Sequence, residues 1–276
     1  TSVKPEARVS VEFCYFHDAT GGVLLDSRFP RSVIRYNWFE NAYRQTVHIV
    51  CDEREAPPPE TPSELRPMHS DIVGNVFIQG HAPGGRYCVL SLGGESSQAP
   101  GTEGDFSVAH NLFVITRSEM EMSSRAVAML VHGNVDRLRA FNNLVVEYGV
   151  AGCSLYQRGE VWDIIDTKRF IAARGSADPI VEGAGNCVSL KTTDIPAGLS
   201  RTVYAANPKL QDLLNLDFRP RRDSPLVGAG EWPLPIGHMV DLVPEYEPQR
   251  GIPVDLKPRQ RRKQAPPSIG PFEVSE

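Results

Sequence analysis

The sequence predicts an all-β solenoid, a right-handed parallel β-helix. Three observations predict it: a recurring asparagine motif, strand-length apolar runs between its copies, and loop-rich insertions that lengthen some of the steps. The motif is two or three β-favouring residues, two variable positions, Asn, one variable residue, then an apolar or aromatic residue. It reads Val33-Ile34-Arg35-Tyr36-Asn37-Trp38-Phe39, then Ile72-Val73-Gly74-Asn75-Val76-Phe77. It recurs as Val108-Ala109-His110-Asn111-Leu112-Phe113 and Arg139-Ala140-Phe141-Asn142-Asn143-Leu144-Val145. An earlier copy, Val11-Glu12-Phe13-Cys14-Tyr15-Phe16, has Cys in the Asn place, and a weaker one is Gly185-Asn186-Cys187-Val188.

From 14 to 37, 75, 111 and 143 the steps are 23, 38, 36 and 32 residues. The shortest step reads as a bare coil and the longer ones as a coil plus a loop. Ala56-Pro57-Pro58-Pro59-Glu60-Thr61-Pro62 lies in the second step and Gly93-Gly94-Glu95-Ser96-Ser97-Gln98-Ala99-Pro100-Gly101 in the third. Both are turn-forming compositions. Second β-rich runs lie between the Asn copies: Gly22–Leu25, Thr46–Val50, Cys88–Leu92 and Val127–Val131. Each unit is therefore expected to be strand, Asn turn, strand, loop. One unit cannot bury its apolar side chains, but units stacked about 4.8 Å apart can. Asn37, Asn75, Asn111 and Asn143 are expected to form a structural ladder. Asn tolerates the left-handed backbone of a sharp bend, and its amide can both donate to and accept from its counterpart one coil away.

The coils are assigned to residues 1–230, irregular around 154–200, and a Pro-rich tail or cap to 231–276. Pro208–Leu214 reads as one or two helical turns, and Val161–Ile165 is ambiguous in period. His110 is expected to face outward. The basic run Arg259, Arg261, Arg262 and Lys263 reads as a solvated tail, or as a cover for the open edge of the last coil.

With 29 basic and 34 acidic residues the formal net charge is −5, against the basic excess of a chain built to neutralise phosphates, so no nucleic-acid partner is expected. No apolar stretch is long enough for a membrane span. Cys14, Cys51, Cys88, Cys153 and Cys187 are widely spaced, without a CxxC pair, and read as small buried hydrophobes.

The Asn turns, together with the closing segment Leu216-Asp217-Phe218-Arg219-Pro220 … Asp223-Ser224-Pro225-Leu226-Val227-Gly228-Ala229-Gly230 and the phrase Ile269-Gly270-Pro271-Phe272-Glu273, resemble the right-handed β-helix proteins of the pectate-lyase-like superfamily. The likeness covers roughly residues 9–150 and 205–276. Phe16-His17-Asp18-Ala19-Thr20-Gly21 … Asp26-Ser27-Arg28 is similar to a segment of uncharacterised bacterial members related to chondroitinase B and alginate lyase. In those lyases a Lys and an Arg act as base and acid. Arg28 keeps the Arg. Asp26 stands where the Lys would be, and Val23 and Leu24 replace a His-Asn pair. The resemblance implies a secreted or periplasmic protein and a polysaccharide partner. It also implies a C-terminal portion whose missing N-terminal portion would be a further partner.

A lyase acting on a uronic acid needs a cation for the carboxylate, a base for the α-proton and an acid for the leaving oxygen. Arg28, His48 and Asp26 are the candidate catalytic residues, with Arg44, Glu53, Arg86, Tyr87, Glu95 and His132 as substrate-binding candidates. A glycoside hydrolase would need two carboxylates about 5 to 9.5 Å apart. Asp26, Asp52, Glu53 and Glu95 offer them, but no Asp-Asp pair of the polygalacturonase kind appears. The seven histidines are isolated in sequence, and Asp217, Asp223 and Asp241 make no calcium loop, so no metal or cofactor is expected. The functional expectation is lyase-like β-elimination on an acidic glycan. The alternative is a non-catalytic β-helix: an adhesin, a spike or a carbohydrate-binding surface.

Overall fold

The computed structural model describes residues 7–50, 69–79, 88–93, 104–117, 126–131, 135–149, 153–158, 180–190, 192, 195–251 and 257–274, and every regular element among them is a strand. Three parallel sheets carry the fold. Sheet A contains β1 (Arg8–Glu12), β4 (Arg31–Arg35), β7 (His69–Val73), β10 (Asp105–Ala109), β13 (Arg137–Phe141), β16 (Ile180–Ala184) and β18 (Leu199–Ser200). Sheet B contains β2 (Tyr15–His17), β5 (Trp38–Glu40), β8 (Val76–Gln79), β11 (Leu112–Arg117), β14 (Leu144–Gly149), β17 (Cys187–Val188) and β19 (Val203–Tyr204). Sheet C contains β3 (Leu25–Ser27), β6 (Val47–Ile49), β9 (Cys88–Leu92), β12 (Ala126–Val131) and β15 (Cys153–Arg158).

From β1 to β15 the chain visits A, B and C in turn, β16 to β19 alternate between A and B, and successive strands of each sheet pair in parallel. That arrangement is consistent with a parallel β-helix. The sequence reading gives two strands per unit, whereas the structure has three. The β-favouring residues before Asn enter sheet A, the residues after it enter sheet B, and the second run forms sheet C. The motif therefore spans a corner rather than a single strand.

The A–B corner is the most regular part of the molecule. Asn37 Nδ2 donates to Asn75 Oδ1 at 3.0 Å, Asn75 to Asn111 at 2.9 Å, Asn111 to Asn143 at 3.1 Å and Asn143 to Asn186 at 2.9 Å. Each of these acceptors also receives the backbone N–H of the asparagine before it, at 3.0 or 3.1 Å. Each amide's other proton goes to a sheet A carbonyl, such as Ile34 O or Ile72 O. Cys14 joins only through its backbone, its N–H donating to Asn37 Oδ1 at 2.9 Å.

The left-handed residue is not the asparagine, as the sequence reading expects, but the one before it. Phe13, Tyr36, Gly74, His110, Asn142 and Gly185 all have φ between 53° and 68°. Asparagine is therefore required by the ladder's hydrogen bonds, and the bend tolerates other residues at some backbone cost.

The core lies between the three sheets. Ile34, Ile72 and Val108 point in from sheet A, Val47, Ile49, Leu90 and Met129 from sheet C, and Phe39, Phe77 and Phe113 from sheet B. Because successive strands are in register, identical side chains stack. Phe16, Phe39, Phe77 and Phe113 form a column with centroids 4.9, 5.1 and 5.3 Å apart.

Several further expectations are corrected. Pro208–Leu214 is not helical: it carries β20 (Leu210–Asp212), which pairs antiparallel with β21 (Asp217–Pro220). Val161–Ile165 lies outside the described residues. Of the stretch expected to be irregular, residues 159–179 lie outside the described residues, and beyond them β16, β17 and β18 continue sheets A and B. Cys88 and Cys187 are buried, but Cys14 is exposed. His110 faces out from the sheet yet is fully buried, because chain from the far end of the sequence covers it: its Nδ1 lies 3.0 Å from Gly270 O.

That covering chain is the C-terminal region, which runs along the flanks of the stack. Phe218, Leu226, Ile269 and Phe272 pack on Trp38, Val76, Leu112 and Leu144 of sheet B's outer face. Leu234, Val240 and Leu242 pack on Val73, Ala109 and Phe141 of sheet A's outer face. The closing segments around Phe218–Leu226 and Ile269–Phe272 thus act as apolar cover for sheet B. Arg250 reaches back to Glu40 with two hydrogen bonds of 3.0 and 2.9 Å. Burial raises the Glu40 carboxyl, and bonds from Arg250, Tyr15 and Trp38 more than reverse this, holding it below the ordinary carboxylate value.

Two substitutions test this architecture. Asn111→Ala removes one rung and orphans donors and acceptors of both neighbours, so unfolding free energy from urea titration should fall by about 2–4 kcal/mol. Phe77→Ala opens a cavity in the aromatic column and should cost about 3–5 kcal/mol in the same measurement.

Candidate functional site

Sheets A and B are covered on the outside by the C-terminal region, whereas the buried cluster on sheet C's outer face, Cys88, Val127 and Leu130, contains none of it. Sheet C also carries the polar row that sequence reasoning singled out. Asp26 on β3 pairs in register with His48 on β6, which pairs with Ser91 on β9. Strand alternation explains the row: Val47 and Ile49 turn into the core, so His48 between them turns out.

Arg28, Asp26 and His48 converge. His48 Nδ1 lies 3.1 Å from Asp26 Oδ1. Arg28 donates from Nε and Nη2 to Asp26 Oδ2 at 3.3 and 3.2 Å. The carboxylate is thus shared between a guanidinium and an imidazole from two successive circuits. The Arg28 side chain is 56% exposed and that of Asp26 38%, while that of His48 is 8% exposed. A carboxylate on Nδ1 fixes the ring and leaves Nε2 as the chemically distinct position, the arrangement used to orient a general base.

Arg44 does not join this cluster. It is exposed on the link between β5 and β6, where its backbone carbonyl accepts a bond from Gln79. Glu53, Arg86, Tyr87, Glu95 and His132 lie outside the described residues.

A second polar cluster, on the outer face of sheet A, is absent from the sequence reading. His69 and Asp105 are register partners on β7 and β10, and the covering chain brings His238 against them. The rings of His69 and His238 stack with centroids 4.1 Å apart, and His238 Nε2 lies 3.8 Å from Asp105 Oδ2. Ligand atoms of the three residues fall within 4.8 Å of one another, a donor set suited to a divalent transition ion. Arg139, however, donates a hydrogen bond to His238 Nε2, and this guanidinium occupies the lone pair that a metal would take.

The cluster serves as a clasp. Asp71, fully buried on β7, accepts the backbone N–H groups of His238, Met239 and Val240 at 3.2, 2.6 and 3.1 Å. Gly237 allows the turn: a Cβ there would lie 2.3 Å from Val240 O. The period-two spacing of His69 with Asp71 and of Asp105 with Ser107 marked an outer face in the sequence. Nothing local linked it to His238, more than 130 residues away.

Burial pushes the His238 imidazole down to about 4, with Arg139 and His69 adding to the effect, and burial also lowers His69. The folded chain therefore binds fewer protons than the unfolded chain between about 4 and the ordinary histidine value near 6.5, and stability is lost as pH falls through that window. The melting temperature should be lower at about pH 5 than at about pH 7.5, and His238→Gln should shrink the difference.

No helix among the described residues is long and apolar enough to cross a membrane. Comparison of the chain with protein-family models, curated proteins and solved structures gives no match.

Proposed function

We propose that the chain is a right-handed parallel β-helix of the pectate-lyase-like kind, closed by its C-terminal region, that acts on an acidic polysaccharide outside the cell or in the periplasm by β-elimination. The observation that carries this reading is the convergence of Arg28, Asp26 and His48 on the outer face of sheet C. Right-handed crossovers are the rule for parallel strands, and each circuit here links parallel strands.

In the proposed reaction Arg28 pairs with the uronate carboxylate and stabilises the charge that develops there. His48 Nε2 takes the proton α to that carboxylate, while Asp26 holds Nδ1–H and stabilises the imidazolium that forms. The electron pair of the broken C–H bond becomes the new C=C bond. The glycosidic oxygen leaves with its bonding pair and takes a proton from solvent or an acid.

The near-complete burial of His48 favours a second reading: a surface offering only Arg28 and Asp26 would bind the glycan without cleaving it. The test is the ultraviolet absorbance of unsaturated uronyl products during incubation with pectate, alginate and chondroitin polymers. Cleavage of one polymer is expected, with kcat/KM reduced about 10²-fold or more in both Arg28→Ala and His48→Ala. Binding without product on every polymer would replace the enzyme reading with the binding one. Absence of both would overturn the two together.

A further inference from the structure

Arg219 and the basic run Arg259 to Lys263 lie apart in sequence and have no part in the sheet C site. The fold brings them to one place. Strand β22 (Tyr246–Glu247) pairs antiparallel with β23 (Arg259–Gln260). Beside this ribbon is a pocket of about 690 Å³ lined by Arg219, Arg259, Arg261, Arg262 and Lys263, together with Glu245, Glu247, Glu273 and Tyr246. It lies by the A–B corner, where Glu245 N donates to Tyr36 Oη at 3.2 Å, and so away from sheet C.

The charges in this pocket are not all spent. Arg219 is held by Asp217, and buried Arg261 pairs with Glu273 at 2.6 Å. Arg259 remains, with Glu247 at 3.7 Å, and so do Arg262 and Lys263, which make no hydrogen bond or ion pair among the described residues. Against these three cations stand two carboxylates, Glu245 and Glu247. Arg261 also lines the pocket, and its buried Nε has no hydrogen-bond partner among the described residues. Half-buried Tyr246 supplies an apolar wall beside these donors.

We propose that this pocket binds the anionic group of an acidic saccharide, with Arg262, Lys263 and Arg259 pairing its oxygens and Tyr246 against its apolar face. The identity of the ligand as a saccharide rests on the proposed function; the anion site itself rests on the pocket. Carboxylate of a uronate and sulfate of a sulfated sugar share the recognised chemistry. The site would hold a glycan at a point remote from the Arg28 cluster.

The experiment is calorimetric titration of the full chain with galacturonic acid trimer, with sodium sulfate and with neutral maltotriose. Arg262→Ala/Lys263→Ala alters exposed side chains and should fold normally by circular dichroism. Binding of the uronate trimer or of sulfate is expected, weakened about tenfold or more by the double substitution and unchanged by Arg28→Ala. Whichever anion binds identifies the source. No binding of either anion, equal binding of maltotriose, or full affinity in the double variant overturns the inference. Loss in Arg28→Ala with the double variant intact places binding on sheet C, which overturns the pocket and leaves the proposed function standing.

Discussion

The asparagine ladder at the A–B corner sets the terms for the rest of the molecule. The amides of Asn75, Asn111 and Asn143 are bonded on both sides and to the backbone, fully out of water, so a rung cannot shift without stranding polar groups. The ladder therefore fixes the register between circuits. Register in turn stacks phenylalanine on phenylalanine in sheet B and places Asp26 directly opposite His48 in sheet C. It also explains where sequence length can vary. The A–B corner keeps the same short turn in every circuit, and the Pro-rich and Gly-rich insertions fall elsewhere along the chain.

The C-terminal region covers the outer faces of sheets A and B. An uncovered sheet with apolar outer positions such as Val76, Leu112 and Leu144 would expose a contiguous hydrophobic surface. Phe218, Leu226, Ile269 and Phe272 remove it. The attachment is polar as well as apolar. Asp71 gathers three backbone donors, Glu40 takes both bonds of Arg250, and Arg261 with Glu273 and Ser268 forms a nearly solvent-free network. Buried ion pairs contribute little net stability after desolvation, but a broken one is costly, so they fix the path of the covering chain.

The two His-containing clusters differ for physical reasons. On sheet C the Asp26 carboxylate faces Nδ1 of the His48 imidazole and orients the ring. On sheet A the half-buried imidazole of His238 receives a guanidinium donor, and partial burial with that neighbouring charge keeps it neutral, an acceptor that docks the tail.

Sequence by itself determined the ladder, the strand runs beside it and the outward turn of His48, because each depends on local spacing. Period-two alternation turns His48 outward, and recurrence of Asn marks the corner whatever the loop lengths. It misplaced the left-handed residue, since Phe13 and Tyr36 carry no local signal for that conformation. Tertiary structure alone decided that the tail lies along sheets A and B. It decided that His110 is buried, that His238 meets His69, and that Arg219 meets Arg262 across a pocket. These contacts join residues far apart in the chain through side-chain complementarity, which no periodicity encodes.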